Sequence, residues 1–135
     1  AGLWEEEMAE LDGNGESEAG IAPNLELYEA LDALGKLVLM TARNDGVLVG
    51  YCFMLINRHP HFAAFCGFED LFFLTKAERR GMTAVRLVKE TERELALRGV
   101  RKVYWMAPIH TKVGKLYERL GMSPVYTMYV SKLEK

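Results

Sequence analysis

Cysteine is scarce in this sequence: Cys52 and Cys66 are the only two in 135 residues, and no CxxC pair exists. A secreted disulfide framework is therefore excluded, and both thiols are expected to be reduced and buried. No apolar run approaches the ~20 residues that a bilayer-spanning helix needs. The acidic, amphipathic start also lacks the basic region of a signal peptide, which makes the cytoplasm the expected location. Internal repeats and low-complexity tracts are absent as well, which excludes solenoids. Neither a Ser-His-Asp arrangement nor a nucleophile elbow is visible, and neither cysteine has a recognisable partner, so no covalent nucleophile is expected.

What is present suits one globular domain over residues 1–135. Half of the residues are apolar and 27% are charged, the balance of a soluble chain with a core to bury. The net charge of -2 hides an uneven distribution. Acidic residues from Glu5 to Asp32 precede the first basic residue, Lys36, whereas Lys76, Arg79, Arg80, Arg86 and Lys89 cluster in mid-chain. Such a cluster suits a local anion site. It lacks the interleaved aromatics of a nucleic-acid surface, so no nucleic-acid partner is expected.

Trp4, Met8 and Leu11 recur at helical spacing and predict an opening helix, followed by a loop over residues 12–22. Asn24 can cap a second helix whose apolar face is Leu27, Tyr28, Leu31 and Leu34, with Gly35 as its stop. A hairpin follows. Leu37 to Arg43 and Val47 to Asn57 are rich in β-formers and are joined through Asn44, Asp45 and Gly46. Pro60, between His59 and His61, breaks the second strand.

Phe68 to Thr75 reads as a strand, apolar from Leu71 to Leu74 and so expected to be covered on both faces. From Thr83 to Arg98 a helix turns Ala84, Leu87, Val88, Thr91 and Leu95 inward, and Gly99 ends it. A strand over Val100 to Ala107 is broken by Pro108. Val113, Leu116, Tyr117 and Leu120 then mark a short helix stopped by Gly121, and Val125 to Leu133 reads as a last strand. The fold class is α/β (α+β), a mixed sheet with helices on its faces.

The stretch from Leu74 to Ala84 carries the chemistry, because it joins a buried strand to a long helix through a basic turn. Unpaired N–H groups and the positive dipole end of a helix N-terminus attract anions, and Gly81 leaves room for close approach. A basic loop that merely caps a helix would look the same. Glu69 and Asp70 stand at the strand entrance, where a carboxylate can accept an amine proton, although paired acids at such a place are also commonly just solvated. Because strand side chains alternate, only one of them faces a cleft unless a bulge intervenes. His59 and His61 are too few to make a metal site, and no metal is expected.

Arg79, Arg80, Gly81, Met82, Thr83 and Ala84 resemble the acetyl-CoA pyrophosphate motif R/Q-x-x-G-x-G/A of the GNAT superfamily of N-acetyltransferases. Arg79 falls at its first position and Ala84 at its final small one. Met82 stands at the usual middle glycine, with Gly81 one residue earlier, as in a variant familiar among phage-encoded and bacterial acetyltransferase-like proteins. Lys115 to Met122 is similar to the family's closing LYekLGF element, and His110 occupies a place where many relatives carry asparagine. Glu69 and Asp70 resemble the Glu-Asp pair of spermidine/spermine acetyltransferases.

The resemblance implies a mostly antiparallel mixed sheet flanked by helices on both faces, with a first strand missing or truncated. An open edge of that kind favours a homodimer. It also implies acetyl-CoA as cosubstrate, held by the backbone of Leu71, Phe72, Phe73 and Leu74 and by the basic turn, with a small-molecule or peptide amine as acceptor. By the same resemblance Glu69 or Asp70 is the base, and Tyr117 is the acid that discharges the thiolate. From its own pattern Tyr117 could equally be a core aromatic with a bonded hydroxyl. A catalytically silent acyl-CoA-binding or protein-interaction module of the same fold is the alternative.

Overall fold

The structure is a computed structural model that describes residues 24–133. Its element order is α1 (Leu25–Ala33), β1 (Leu37–Asn44), β2 (Val47–Arg58), β3 (Phe65–Leu74), a 3-10 turn (Lys76–Arg80), α2 (Thr83–Leu97), β4 (Val100–Tyr104) and α3 (Val113–Arg119). The helix expected around Trp4 to Leu11, the loop after it and the question of a first strand fall outside the described residues.

The sheet has the order β1-β2-β3-β4. Its first two pairings are antiparallel and β3 with β4 is parallel, as the mixed fold class requires. Asp45 and Gly46 close the first hairpin with φ of 50° and 79°. Two successive positive angles match the twist of the flanking strands, which explains the Asp-Gly pair at this turn.

The two faces of the sheet are covered by different helices. Val38, Cys52, Met54, Ile56 and Leu74 lie on one face and meet Leu87 and Leu95 of α2 in a continuous core. The predicted inward set of α2 is largely the observed one: Leu87, Val88, Thr91 and Leu95 are buried, and Ala84 packs against the core. Thr91 is tolerated there because its hydroxyl donates to the Leu87 carbonyl at 2.7 Å. On the opposite face Tyr28 of α1 packs on Phe53, which in turn meets Tyr51.

Several expectations are corrected. The α1 helix buries none of its residues, and Leu27 and Leu34 of its expected apolar face are exposed. Tyr28 and Leu31, one turn apart, make its partly buried stripe. The β4 strand ends at Tyr104, before Pro108 could stop it, because its partner strand is lost there. Leu71 and Phe72 are only half-buried, so β3 is less covered than its apolar run suggested. The strand expected from Val125 to Leu133 is not formed: residues 123–133 carry no regular secondary structure and are exposed. β-Propensity is a fit to a pleated neighbour, and these residues have no strand beside them among the described residues.

Gly50 is demanded by close approach. A Cβ there would lie 2.7 Å from the Phe73 carbonyl oxygen and would collide with a Leu74 methyl. Gly50→Ala is expected to destabilise the fold by about 1–3 kcal/mol, because backbone of β3 must shift to admit the methyl. Urea denaturation will measure it, and an unchanged midpoint would show that β2 and β3 can separate freely at this point.

Candidate active site

The site is arranged around β3. This strand pairs with β2 along its whole length, from Arg58↔Phe65 to Gly50↔Leu74. With β4 it pairs only as far as Phe68↔Tyr104. Beyond that point the two parallel strands part, and the β4-side edge of β3 from Glu69 to Leu74 has no strand partner among the described residues. Backbone groups on such an edge are hydrogen-bonding positions a ligand can take.

The register of β2 on β3 jumps from Phe53↔Leu71 to Met54↔Glu69, which makes Asp70 an extra residue. A bulge re-aims the side chains around it. Glu69 turns toward α3: its Oε1 accepts the Tyr117 hydroxyl at 3.0 Å and the Met106 backbone N–H at 3.0 Å. Asp70 turns toward α1 and accepts from the Tyr28 hydroxyl. The adjacent acids therefore serve different elements, and Glu69 is the one bonded across the gap where β3 and β4 separate.

Tyr117 is buried on α3, and its ring packs against Trp105 and Phe72 at centroid distances of 5.6 and 6.4 Å. Its single hydroxyl proton is shared between Glu69 and the Met106 carbonyl oxygen, 3.2 Å away. Burial, followed by the neighbouring Glu69 charge, pushes the phenol well above the ordinary tyrosine range. The hydroxyl is thus a donor at any working pH. Beneath it on β2, burial pushes the Cys52 thiol up to about 12 against an opposing hydrogen bond with Thr91. Both cysteines are free and buried, and Cys52 is too poor an acid to act as a nucleophile.

The basic turn has more internal structure than its sequence suggested. Lys76 to Arg80 form a 3-10 turn, and α2 begins after it with Met82 as a cap residue that makes no side-chain cap bond. The first N–H groups of α2 are accordingly not capped by that side chain. Gly81 is exposed, with nothing within 4 Å of where a Cβ would stand. Arg79, exposed like Arg80, bends back over the strand: its Nε donates to the Leu74 carbonyl at 2.7 Å, and its guanidinium lies 5.3 Å from the centroid of the Phe73 ring. Arg80 is exposed. Glu78 joins the turn to the hairpin, accepting from Asn44 at 3.1 Å and from Thr83 at 3.3 Å.

Glu69 and Tyr117 are thus joined by a hydrogen bond beside the open edge of Leu71 to Leu74, whereas Asp70 turns to the α1 side, and the Arg80 turn follows the end of the same strand. His59 is stacked on Tyr104 and Phe68, the last pair before the strands part, and among the described residues no three metal-binding side chains assemble. His110 is exposed in the turn before α3. A separate hollow of about 660 Å³, lined by Leu34, Lys36, Ile56, Arg58, Phe65 and Arg98, lies at the other end of β3 and contains none of these groups. Trp105, Met106 and Tyr28 were not singled out as site residues by sequence. Their parts come from backbone position and cross-element bonds, for which only the placement of Trp105 two residues after Val103 leaves any periodic signal.

The arrangement is that of an α/β protein in which a bulged strand, β3, parts from its parallel neighbour β4 and leads through a basic turn to a helix N-terminus. Residues 3–122 match the acetyltransferase (GNAT) family model. Among solved structures, a ribosomal-protein-alanine N-acetyltransferase from Brucella melitensis is similar at 24% identity, over 83% of this chain and 82% of that one, with a TM-score of 0.65. A putative acetyl transferase from Pyrococcus furiosus is 19% identical over 96% and 94% of the two chains, with a TM-score of 0.69. An aminoglycoside N-acetyltransferase solved with CoA is 18% identical over 82% and 93%, with a TM-score of 0.64. No curated protein matches the chain significantly. The chain belongs to the GNAT family of acetyltransferases and is an acyl-CoA-dependent N-acyltransferase with acetyl-CoA as its cosubstrate.

The raised Cys52 and Tyr117 values give a signed pH dependence. In the unfolded chain these groups ionise near 9.0 and 10.0, and in the folded chain they resist ionisation. Stability that rests on their protonated forms is complete below those values and is lost as pH rises above them. The urea midpoint is expected to be insensitive to this pair below about pH 9 and to fall above it, less steeply in Tyr117→Phe. A midpoint that holds steady into strongly alkaline solution would contradict the burial of both groups.

Proposed function

We propose that this enzyme transfers an acetyl group to a primary amine, on a small molecule or a peptide, by direct attack at a site formed by β3, α1 and α3. The observation that carries this reading is the parting of β3 from β4 beside Glu69, Asp70 and Tyr117. A single domain over 1–135 in the cytoplasm accommodates such an enzyme. Among the described residues no helix is long and apolar enough to cross a membrane.

The residues present fit acetyl-CoA. The uncapped start of α2 at Met82, Thr83 and Ala84, the open space at Gly81 and the exposed Arg80 suit its phosphates, while the free edge over Leu71, Phe72, Phe73 and Leu74 suits the thioester arm. When bound, the cosubstrate supplies an acyl group activated as a thioester. Backbone N–H groups on the edge of β3 polarise the acyl carbonyl. Arg79 acts from behind, bracing the end of β3 through the Leu74 carbonyl and the Phe73 ring.

Asp70 takes the proton that the acceptor ammonium must lose, since hydroxyl donation from Tyr28 leaves a carboxylate with further acceptor sites. Glu69 positions. Its bonds to Met106 and Tyr117 hold the separated strand and the phenol in register. Tyr117 carries the proton that the departing sulfur takes; its hydroxyl stays protonated in the folded chain, and because burial also weakens it as an acid the transfer draws on the negative charge that develops on the sulfur. Aminoglycoside and ribosomal-protein N-acetyltransferases among the structural relatives support an amine acceptor.

Calorimetry with CoA tests the first requirement; absence of both binding heat and any rise in melting temperature at millimolar CoA would falsify the cosubstrate site. Tyr117→Phe is expected to keep CoA affinity and lower turnover by ~10²-fold, the lower end for a general acid that water can partly replace. Thiol release with an accepted amine, corrected for the folded fraction, measures it. Full turnover per folded molecule would leave Tyr117 as a core aromatic, and a failure to release thiol with any amine offered would favour a silent acyl-CoA-binding module.

A further inference from the structure

The hollow of about 660 Å³ at the other end of β3 plays no part in acyl transfer, and its lining combines two kinds of side chain. Leu34, Ile56 and Phe65 give it an apolar wall, in which Leu34 and Phe65 remain exposed. Lys36, Arg58 and Arg98 bring three cations from three places in the chain: the turn between α1 and β1, the last residue of β2 and the residue that caps α2. A concave surface with an apolar wall and a few convergent polar groups is the usual form of a small-molecule site.

The cations are held in place. The Lys36 carbonyl accepts the Ile56 N–H at 2.8 Å, which fixes its backbone beside the end of β2. Arg58 faces Phe65 across the β2–β3 ladder, and its guanidinium lies 5.1 Å from the centroid of that ring. Arg98 donates its Nε to Glu94 at 2.9 Å and a second guanidinium nitrogen to the Leu37 carbonyl at 3.2 Å. A guanidinium already positioned loses less freedom when it meets a ligand. The charges are also in excess. Glu94 is the one carboxylate bonded to any of the three, and among the described residues neither Lys36 nor Arg58 has an acidic partner. The C-terminal ends of α1 and α2 both arrive here, and a cation beside each offsets its dipole, which accounts for Lys36 and Arg98. Arg58 ends a strand, which has no such dipole.

We propose that this hollow binds a small organic anion with at least two negative groups on an apolar body, its charges met by Lys36, Arg58 and Arg98 and its body laid against Leu34 and Phe65. A lone inorganic anion would leave the apolar wall and most of the volume unused, and a neutral apolar molecule would leave the cations unmatched. Carboxylates and phosphate esters share this chemistry. The site is independent of the proposed acetyl transfer, and its test reads binding alone.

The probe is a biphenyl carrying a carboxylate at each end, titrated by calorimetry into the full chain saturated with CoA. Saturable binding with a Kd of about 1 mM or tighter is expected at low ionic strength, weakening as salt is added. The amide resonances of Gly35, Ile56 and Asn57, which line the hollow, are expected to shift on binding. Lys36→Gln combined with Arg58→Gln is expected to weaken the probe by about tenfold or more, whereas Lys36→Arg combined with Arg58→Lys retains most of the affinity. Both positions are exposed, and an unchanged melting temperature confirms that each variant folds. If the glutamine pair does not fold, the charge-retaining pair and Lys36→Gln alone carry the comparison. Absence of saturable binding up to about 10 mM probe overturns the proposal. Equal affinity for the neutral diamide of the same biphenyl overturns it by reducing the hollow to an apolar patch, and affinity unchanged by the loss of both charges overturns it by placing the probe elsewhere.

Discussion

The loss of pairing between β3 and β4 after Phe68 and Tyr104 is the constraint on which the rest of the structure depends. A parallel pair that stayed joined would bury its backbone groups in each other and leave no edge for a ligand. Here the extra residue Asp70 bends β3 while the β2 side remains fully paired. The strand can therefore be anchored and open at once. Gly50 belongs to the same arrangement, since its missing side chain lets β2 lie close against Phe73 and Leu74.

Where strands part, something must replace the lost ladder, and Glu69 does so in part. Its carboxylate takes the Met106 N–H, which would otherwise lack a strand acceptor, and the Tyr117 hydroxyl from α3. Phe72, Trp105 and Tyr117 fill the wedge between the strands and the helices, with the Trp105 Nε1 bonded to Glu92 of α2 at 2.8 Å. The wedge is thus apolar in its body and polar at a few fixed atoms. That combination raises the Tyr117 phenol and holds its proton in one place.

The helices divide the work by face. The α2 helix is bound into the core by Leu87, Val88 and Leu95, which sets its N-terminus rigidly at the end of β3. The α1 helix touches the sheet mainly through Tyr28, so the Asp70 side of the site is the more lightly built one. A wall of few contacts can be altered with little cost to the core, whereas the α2 side cannot.

Hydrophobic periodicity alone determined much of this molecule. The inward stripe of α2, the Asp45-Gly46 hairpin, the stops at Gly35, Gly99 and Gly121 and the mixed character of the sheet are local consequences of residue type and spacing. The basic turn and the LYekLGF element pointed to the family in the same way. Tertiary structure decided what depends on partners distant in sequence. The bulge at Asp70 exists only as a register between β2 and β3, and the ends of β4 and of the expected Val125–Leu133 strand depend on whether a neighbour is present. Arg79 looked like a free cation because nothing near it in sequence reveals the Leu74 carbonyl and the Phe73 ring that take it. Tyr117 and Glu69 are 48 residues apart, and their hydrogen bond arises only once α3 is laid over the opened strand. Spacing along a chain encodes which face a residue occupies, but the atoms that face meets are supplied by elements far away in sequence.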